Sequence, residues 1–212
     1  MTMDERTQRL LDRARGSLGP NVTVDLGTTA GPLAELAELL STRNGCTFFN
    51  AGVQVFRAGA EGFGPELADW NESATWKDTY QGLADGLFCF GQDVLGTQFA
   101  IERNRIVSFN PETGERTVVG DSLGAWAQWL LADPDVNGTY RLATAWQDEN
   151  GALEHGQRLV PYRFFVLGGG YDLPNLVAKD AATCMRIRGP IAGQIHDLPD
   201  GAQIRLTVEG ER

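Results

Sequence analysis

The sequence predicts an α+β fold in which a mostly antiparallel sheet meander packs against helices. Strand-like segments are grouped in one run between residues 87 and 119, and helical segments lie before and after that run instead of alternating with it. No internal repeat or low-complexity linker interrupts the 212 residues, a length that suits one domain. We therefore predict a single domain over residues 1–212, with an N-terminal helical part (1–45) and a C-terminal β-rich extension (150–212).

The N-terminal elements follow from spacing and turn signals. Residues 3–18 carry apolar side chains at helical spacing, which predicts an amphipathic first helix. Pro32 suits the first turn of a second helix, because a proline there loses no helical hydrogen bond. After a turn signal at residues 44–45, the segment 46–56 is rich in Phe and Val and predicts two short strands or one bulged strand. Segment 59–73 is rich in Gly and predicts a loop.

The central part of the chain predicts a short helix followed by the meander. The helix lies around Trp76, and from Leu87 onward the pattern changes to that of strands. Turn signals at residues 93–96 and 103–104 separate the first three strands, which are therefore predicted to be antiparallel neighbours. The predicted strands are residues 87–90, 97–101, 105–109 and, after a further turn, 116–119.

The clearest helix follows the meander. Ser122 is a suitable N-cap, and Pro134 ends the helix. Between them, apolar residues recur at positions i, i+3, i+4, i+7 and i+8: Leu123, Trp126, Ala127, Leu130 and Leu131. Another helix is predicted from about residue 138 to 147. The remaining segments predicted to be extended are residues 159–167, 184–188 and 204–208.

Charge is distributed unevenly along the chain. The formal net charge is −10, which argues against nucleic acid as the main partner because phosphate binding requires a basic surface. Residues 58–101 hold seven acidic side chains and one basic side chain, Lys77, and so carry a net charge of −6. Residues 179–212 are neutral, with five acids and five bases. The acidic segment is therefore the feature of the sequence that most strongly suggests a function.

Several classes of protein are disfavoured by what the sequence lacks. The three cysteines are widely spaced, no CxxC occurs and the two histidines lie far apart, so we expect no metal site and no cofactor. The first 18 residues are charged and contain no apolar signal core. No apolar run approaches the roughly 18 residues of a membrane helix. We therefore expect a cytoplasmic protein that does not enter a membrane.

Catalytic motifs are also missing from the sequence. Neither His155 nor His196 lies in a recognisable nucleophile arrangement, so both are interpreted as surface histidines. Glycines 168–170 could form an anion-binding nest, but the pattern is more typical of a turn that ends a strand. The carboxylates that could pair for acid–base chemistry are Asp93 with Glu112, or Asp148 with Glu149. Turn carboxylates more often bind their own backbone, so we predict a protein that is not an enzyme.

The order and spacing of these turns resemble a known family. The segment 86–101, GLFCFGQDVLGTQFAI, resembles the core hairpin of the SUKH (Smi/Knr-like) superfamily, in which an aromatic strand leads through an acidic D-x-x-G turn into a second apolar strand. Residues 109–115 look like the family's next turn, and residues 122–131 like its Leu/Trp helix. Residues 158–171 and 197–201 are similar to an extension of some bacterial members, so the resemblance covers roughly residues 80–210.

The resemblance implies an α+β fold and a binding function. For bacterial members it implies an immunity protein that binds a cognate toxin and occludes its active site. For eukaryotic members it implies a regulatory scaffold without catalysis, which is the alternative for this chain. Either protein would be a monomer or a weak homodimer.

The acidic segment is the predicted protein-binding site. Exposed aromatic side chains among acidic ones would bind a toxin with a basic active-site cleft, whereas the alternative is a surface that only keeps the protein soluble. The residues predicted to contact the partner are Asp69, Trp70, Glu72, Trp76, Asp78, Asp85 and Asp93.

Overall fold

The computed structural model describes residues 3–199 and 201–202. Within these residues the chain forms seven α-helices: α1 (Glu5–Leu11), α2 (Gly31–Thr42), α3 (Leu67–Asn71), α4 (Leu123–Ala132), α5 (Pro134–Asn137), α6 (Tyr140–Asn150) and α7 (Ala181–Ile195). The same residues form eight strands: β1 (Cys46–Phe48), β2 (Val53–Val55), β3 (Phe88–Asp93), β4 (Gln98–Glu102), β5 (Arg105–Phe109), β6 (Arg116–Gly120), β7 (Gln157–Pro161) and β8 (Leu176–Asp180).

The strands form two antiparallel sheets. The six strands β1 to β6 lie side by side in the order of the sequence, and β7 pairs with β8 in a separate two-stranded sheet. The predicted α+β fold with an antiparallel meander is confirmed. The segment 46–56 forms two strands, β1 and β2, which was one of the two predicted possibilities.

Helix α4 covers one face of the large sheet, as its apolar spacing predicts. The Ser122 hydroxyl accepts a hydrogen bond from the Ala125 amide (3.1 Å) and caps the helix. The ring of Trp126 then lies 5.2 Å from that of Phe90 and 5.5 Å from that of Phe99, measured between centroids. Edge-to-face packing of buried rings is a favourable arrangement, so this cluster fixes α4 on strands β3 and β4.

A row of three buried glutamines crosses the sheet. Gln54 on β2 lies opposite Gln92 on β3, which lies opposite Gln98 on β4. The Gln92 amide donates to the Gln54 oxygen (3.1 Å), and the Gln98 amide donates to the Gln92 oxygen (3.4 Å). The guanidinium of the buried Arg158, on β7, also donates to the Gln54 oxygen. This glutamine row (Gln54, Gln92, Gln98) therefore ties the small sheet to the large one.

The C-terminal region differs from the sequence prediction. Residues 184–188, predicted as a strand, lie in the 15-residue helix α7, so that prediction was wrong. The Asp180 carboxylate caps this helix by accepting from the Thr183 amide (2.8 Å). The buried residues recur at helical spacing: Ala181, Cys184, Met185, Arg188, Gly189, Ala192 and Ile195. The predicted strand at residues 204–208 lies outside the described residues.

Three other segments also differ from their predicted bounds. Helix α1 ends at Leu11, well before residue 18, and Arg15 instead forms an isolated antiparallel bridge with Thr47. The predicted loop 59–73 contains the short helix α3. Strand β7 ends at Pro161, and Phe165–Leu167 form a 3₁₀ turn where extended chain was predicted. None of the described helices is both long enough and apolar enough to cross a membrane.

Candidate functional site

The acidic segment is folded onto the edge of β3 by local hydrogen bonds. Glu66 caps α3 by accepting from the amides of Ala68 (2.6 Å) and Asp69 (2.8 Å). At the other end of the helix, the Asn71 side chain donates to the Cys89 carbonyl (2.7 Å) and accepts from the Cys89 amide (2.8 Å). Two 3₁₀ turns, Ser73–Thr75 and Lys77–Tyr80, continue the chain. The acidic side chains therefore lie on an ordered framework.

Four of the predicted contact residues are exposed carboxylates. We define the acidic face as Asp69, Glu72, Asp78 and Asp85, all of which are exposed. Asp78 forms an ion pair with Arg186 of α7 (2.9 Å). No ion pair between described residues involves the other three carboxylates. They remain available to a partner.

The one basic residue of the segment, Lys77, is turned inward. Its ammonium group donates to the Leu87 carbonyl (2.7 Å) and to the Asn71 side-chain oxygen (2.9 Å). Loss of water around the half-buried ammonium lowers the pKa of Lys77. The cation is therefore bound internally, and it also interacts electrostatically with Asp85 and Glu72 of the acidic face.

Trp70 and Trp76 belong to the core, and their prediction as exposed anchors was wrong. They are 4% and 0% exposed. The Trp70 indole donates to the Gln98 side-chain oxygen (2.7 Å), and the Trp76 indole donates to the Trp70 carbonyl (3.0 Å). The Trp76 ring also packs against Tyr80 (5.3 Å) and Phe109 (6.1 Å between centroids). Both tryptophans support the acidic face from below and cannot contact a partner directly.

Asp93 is also buried, which removes it from the predicted contact surface. Its carboxylate accepts from the amides of Leu95 and Thr97, both at 2.9 Å, and so closes the turn between β3 and β4. The D-x-x-G segment is a turn, as predicted, but its acidic residue serves the turn itself. Burial outweighs these hydrogen bonds and raises the pKa of Asp93.

This pKa shift predicts how the stability of an Asp93→Asn variant depends on pH. Folded protein with a raised pKa retains the Asp93 proton to higher pH than unfolded protein does. The contribution of Asp93 to the free energy of unfolding is therefore greatest at acidic pH and falls as pH rises through the folded-state pKa. We expect the stability of the wild type minus that of Asp93→Asn, measured by urea denaturation, to decrease from about pH 4 to about pH 7. A difference that is constant or grows toward neutral pH would contradict this expectation.

An exposed aromatic side chain does occur in the acidic segment, at a residue that was not among the predicted contacts. Phe63 is 68% exposed, and its ring lies 5.9 Å from that of the exposed His155. The glycines on both sides of Phe63 provide no side chain to cover it, and this is the sequence signal that could have identified it.

A second candidate feature is a cavity of about 460 Å³ at the end of the large sheet where β5 leads into β6. We name it the sheet-end cavity. The sheet and its β5–β6 turn contribute polar side chains, α7 contributes Arg188, and the connection between β7 and β8 contributes two aromatic rings. The charged and aromatic residues of its lining are Glu112, Glu115, Phe165, Tyr171 and Arg188.

A buried ion pair forms the inner wall of the sheet-end cavity. Glu112 Oε1 lies 3.8 Å from Arg188 Nε, and the two side chains are 3% and 0% exposed. Glu112 Oε2 accepts from the Val166 amide (3.0 Å), and Arg188 Nη2 donates to the Leu159 carbonyl (3.1 Å). Burial raises the pKa of Glu112. Neither Glu112 Oε1 nor Arg188 Nε has a hydrogen-bond partner among the described residues.

Of the carboxylates considered for acid–base chemistry, Asp148 and Glu149 are exposed, and Asp93 and Glu112 have different partners. Asp93 is bound within its own turn, whereas Glu112 lies beside Arg188. Arg188 was missed because residues 184–188 were predicted as a strand, whereas it lies among the buried residues of α7.

Comparison with known proteins identifies the fold and nothing more specific. No protein-family model matches the sequence, and no curated protein matches it either. The crystal structure of Atu4351 from Agrobacterium tumefaciens is similar, with a TM-score of 0.54 and 15% sequence identity. The match covers 90% of this chain and 82% of that one. A likeness at this identity shows a shared α+β fold, so function must be argued from the surfaces themselves.

Proposed function

We propose that this protein is an immunity protein, which binds a cognate bacterial toxin through its acidic face and occludes the toxin's active site. The observation that carries the proposal is the acidic face itself: four exposed carboxylates on an ordered framework, with Lys77 of the same segment bound internally. Such a protein acts in the cytoplasm, where the toxin would act, and needs no catalytic group of its own.

Electrostatic complementarity explains how this surface would select a partner. Toxins that cleave nucleic acids or use nucleotides bind polyanions and therefore need cationic clefts. Carboxylates on a fixed surface steer such a cleft toward the inhibitor, and opposite charges raise association rates to about 10⁸ M⁻¹s⁻¹ or more at low salt. The formal net charge of −10 acts in the same direction at long range.

Affinity requires a desolvated anchor in addition to charge. Interfaces derive most of their binding energy from a few side chains, and aromatic rings are common among them. Phe63, at 68% exposure, is the ring of the acidic segment that a partner could cover. It replaces Trp70 and Trp76 in this role, since both are buried.

Co-expression with toxin domains encoded beside this gene tests the proposal. We expect one of them to be neutralised, so that growth is rescued and a 1:1 complex is recovered. With the purified pair, the association rate is expected to fall as salt rises, and the triple variant Asp69→Lys/Glu72→Lys/Asp85→Lys is expected to associate at least roughly tenfold more slowly at low salt.

A matched control separates the acidic face from total charge. The variant Asp12→Lys/Asp148→Lys/Glu149→Lys changes the net charge equally at exposed positions outside the acidic segment and is expected to retain most of the association rate. Equal slowing by both triple variants would show that only net charge matters. Failure of every neighbouring toxin domain to bind would favour the regulatory scaffold instead.

A further inference from the structure

A separate cavity, of about 450 Å³, lies where the chain leaves α1 and meets the β1–β2 turn and the start of α6. We name it the arginine cavity, because Arg13 and Arg15 line it and none of its described lining residues is acidic. Both arginines are exposed, and no ion pair between described residues involves either of them. In a chain whose net charge is −10, this concave surface is therefore locally positive.

Backbone hydrogen bonds hold both arginines beside the cavity. The Arg13 amide donates to the Leu10 carbonyl (3.0 Å) at the end of α1. The Arg15 amide donates to the Thr47 carbonyl (2.8 Å), and the Arg15 carbonyl accepts from the Thr47 amide (3.1 Å), which attaches Arg15 to the edge of β1. A guanidinium binds carboxylate and phosphate oxygens through paired N–H donors, so two of them in one cavity favour an oxyanion as the ligand.

The backbone around the arginine cavity adopts conformations that most residues avoid. Seven described residues other than glycine have a positive φ, and four of these are found here: Phe49 (53°), Asn50 (53°), Ala51 (64°) and Thr139 (49°). Phe49 and Asn50 line the cavity, and Ala51 and Thr139 are neighbours of lining residues in the chain. Such conformations cost free energy and occur preferentially at ligand-binding sites, so their concentration at this cavity suggests a function.

Close packing maintains the shape of the β1–β2 turn. The Thr139 hydroxyl donates to the Gly52 carbonyl (2.8 Å), and the Gln147 side chain donates to the Asn50 carbonyl (2.7 Å). A Cβ atom on Gly52 would lie 2.3 Å from the Gly138 carbonyl oxygen, so the turn approaches the start of α6 as closely as glycine allows. The wall formed by the turn is therefore ordered before a ligand binds, which reduces the entropic cost of binding.

The start of α6 also favours an anion. Tyr140, the first residue of this helix, lines the cavity, and no described side chain caps the helix because the Thr139 hydroxyl binds Gly52 instead. An uncapped helix N-terminus attracts negative charge. The other polar side chains of the lining, Asn50 and Thr144, can donate hydrogen bonds, as the two arginines do.

Two aromatic side chains favour a ligand that carries a ring as well as a charge. The rings of Phe49 and Tyr140 both line the cavity, with their centroids 6.2 Å apart and their planes tilted by 49°. Tyr140 is 45% exposed, so a bound molecule can contact it. A further ring can pack against such a pair edge to face, and a volume of about 450 Å³ lies within the range of small-molecule sites.

We infer that the arginine cavity binds a small organic anion in which a carboxylate or a phosphate is attached to an aromatic ring. Arg13 and Arg15 donate to the anionic oxygens, and the side chains of Phe49 and Tyr140 contact the ring of the ligand. The inference is independent of toxin binding by the acidic face.

Titration of the isotope-labelled full chain, followed by amide chemical shifts, tests this assignment with benzoate and phenyl phosphate as the probes. We expect at least one probe to cause saturable shifts at the amides of Asn50, Gly52, Gly138 and Thr144, and the tighter probe identifies the preferred anionic group. Benzyl alcohol lacks the charge, and acetate and inorganic phosphate lack the ring. Each of these three is expected to bind at least roughly tenfold more weakly than the tighter probe.

A double arginine variant locates the anionic group of the ligand. Arg13→Gln/Arg15→Gln is expected to weaken binding of the tighter probe at least roughly tenfold, because it removes two charged donors. Arg103→Gln/Arg105→Gln makes the same change of charge at exposed arginines that do not line the cavity, and it is expected to bind as the wild type does. Equal weakening by both double variants would overturn the inference, since net charge alone would then explain binding.

Two tyrosine variants test the contact with the ring. Tyr140→Ala is expected to weaken binding roughly three- to tenfold through loss of an aromatic contact. Tyr162→Ala removes an exposed ring (73%) that does not line the cavity, and it is expected to leave binding unchanged. Absence of saturable shifts with both probes at millimolar concentration would contradict the assignment. So would undiminished binding by Arg13→Gln/Arg15→Gln or by Tyr140→Ala, or equally tight binding of the anions that lack a ring.

Discussion

Replacing Trp76 with alanine is expected to lower the free energy of unfolding by about 3–5 kcal/mol. The side chain is completely buried, and it lies at the centre of a ring cluster with Trp70, Tyr80 and Phe109. Its removal leaves a cavity that rigid neighbours on several elements cannot fill, and it removes the hydrogen bond to the Trp70 carbonyl. Chemical denaturation monitored by circular dichroism measures the loss.

Trp129 provides a matched control for this substitution. It is a half-buried tryptophan of α4 that packs against Phe99 (6.1 Å between centroids), so Trp129→Ala removes the same atoms from a less enclosed position. We expect a clearly smaller loss than for Trp76→Ala. Equal losses would show that the cluster beneath the acidic face is no more important to stability than a peripheral contact.

Replacing Arg188 with methionine is expected to cost about 3–5 kcal/mol of stability, because it leaves Glu112 buried without its counter-charge. Methionine retains much of the apolar stem, so the loss is mainly electrostatic. The double variant Arg188→Met/Glu112→Gln removes both charges and is expected to regain a large part of the loss. Urea denaturation of the two single variants and the double variant measures the coupling between the residues.

Arg186, two positions earlier on α7, is the control for this pair. Its ion pair with Asp78 is partly exposed on both sides, and such pairs contribute about 0–1 kcal/mol. Arg186→Met is therefore expected to change stability little. If Arg188→Met were equally mild, or if the double variant were no more stable than Arg188→Met, Glu112 would not depend on Arg188 as a counter-charge.

The meander and helix α4 could be predicted because their signals are local. Turn residues separate the strands between Leu87 and Gly120, and Ser122 begins a helix whose apolar positions follow one stripe. Helix α7 was missed because its sequence sends conflicting signals. Gly189 and Pro190, which disfavour a helix, lie in the middle of α7. A charged side chain, Arg188, also lies among its buried residues.

The candidate sites depended on contacts that local sequence does not reveal. Four of the seven predicted contact residues are exposed, since charged side chains seldom become buried without a partner. Trp70 and Trp76 are covered by Phe56, Tyr80 and Phe109, which come from distant parts of the chain or from the next turn. The sheet-end cavity is lined by turns and by α7, which lie far apart in the sequence, so no single segment indicates it.

The glutamine row has a consequence for how the chain reaches this fold. On β4, Gln98 points to the side of Gln92, whereas its neighbour Phe99 packs against Trp126 of α4. A slip of β4 by one residue would exchange these faces and place an amide against the tryptophan without a partner. Incorrect registers of β2, β3 and β4 are therefore destabilised relative to the observed one. The glutamine row thus favours the correct pairing of these three strands during folding.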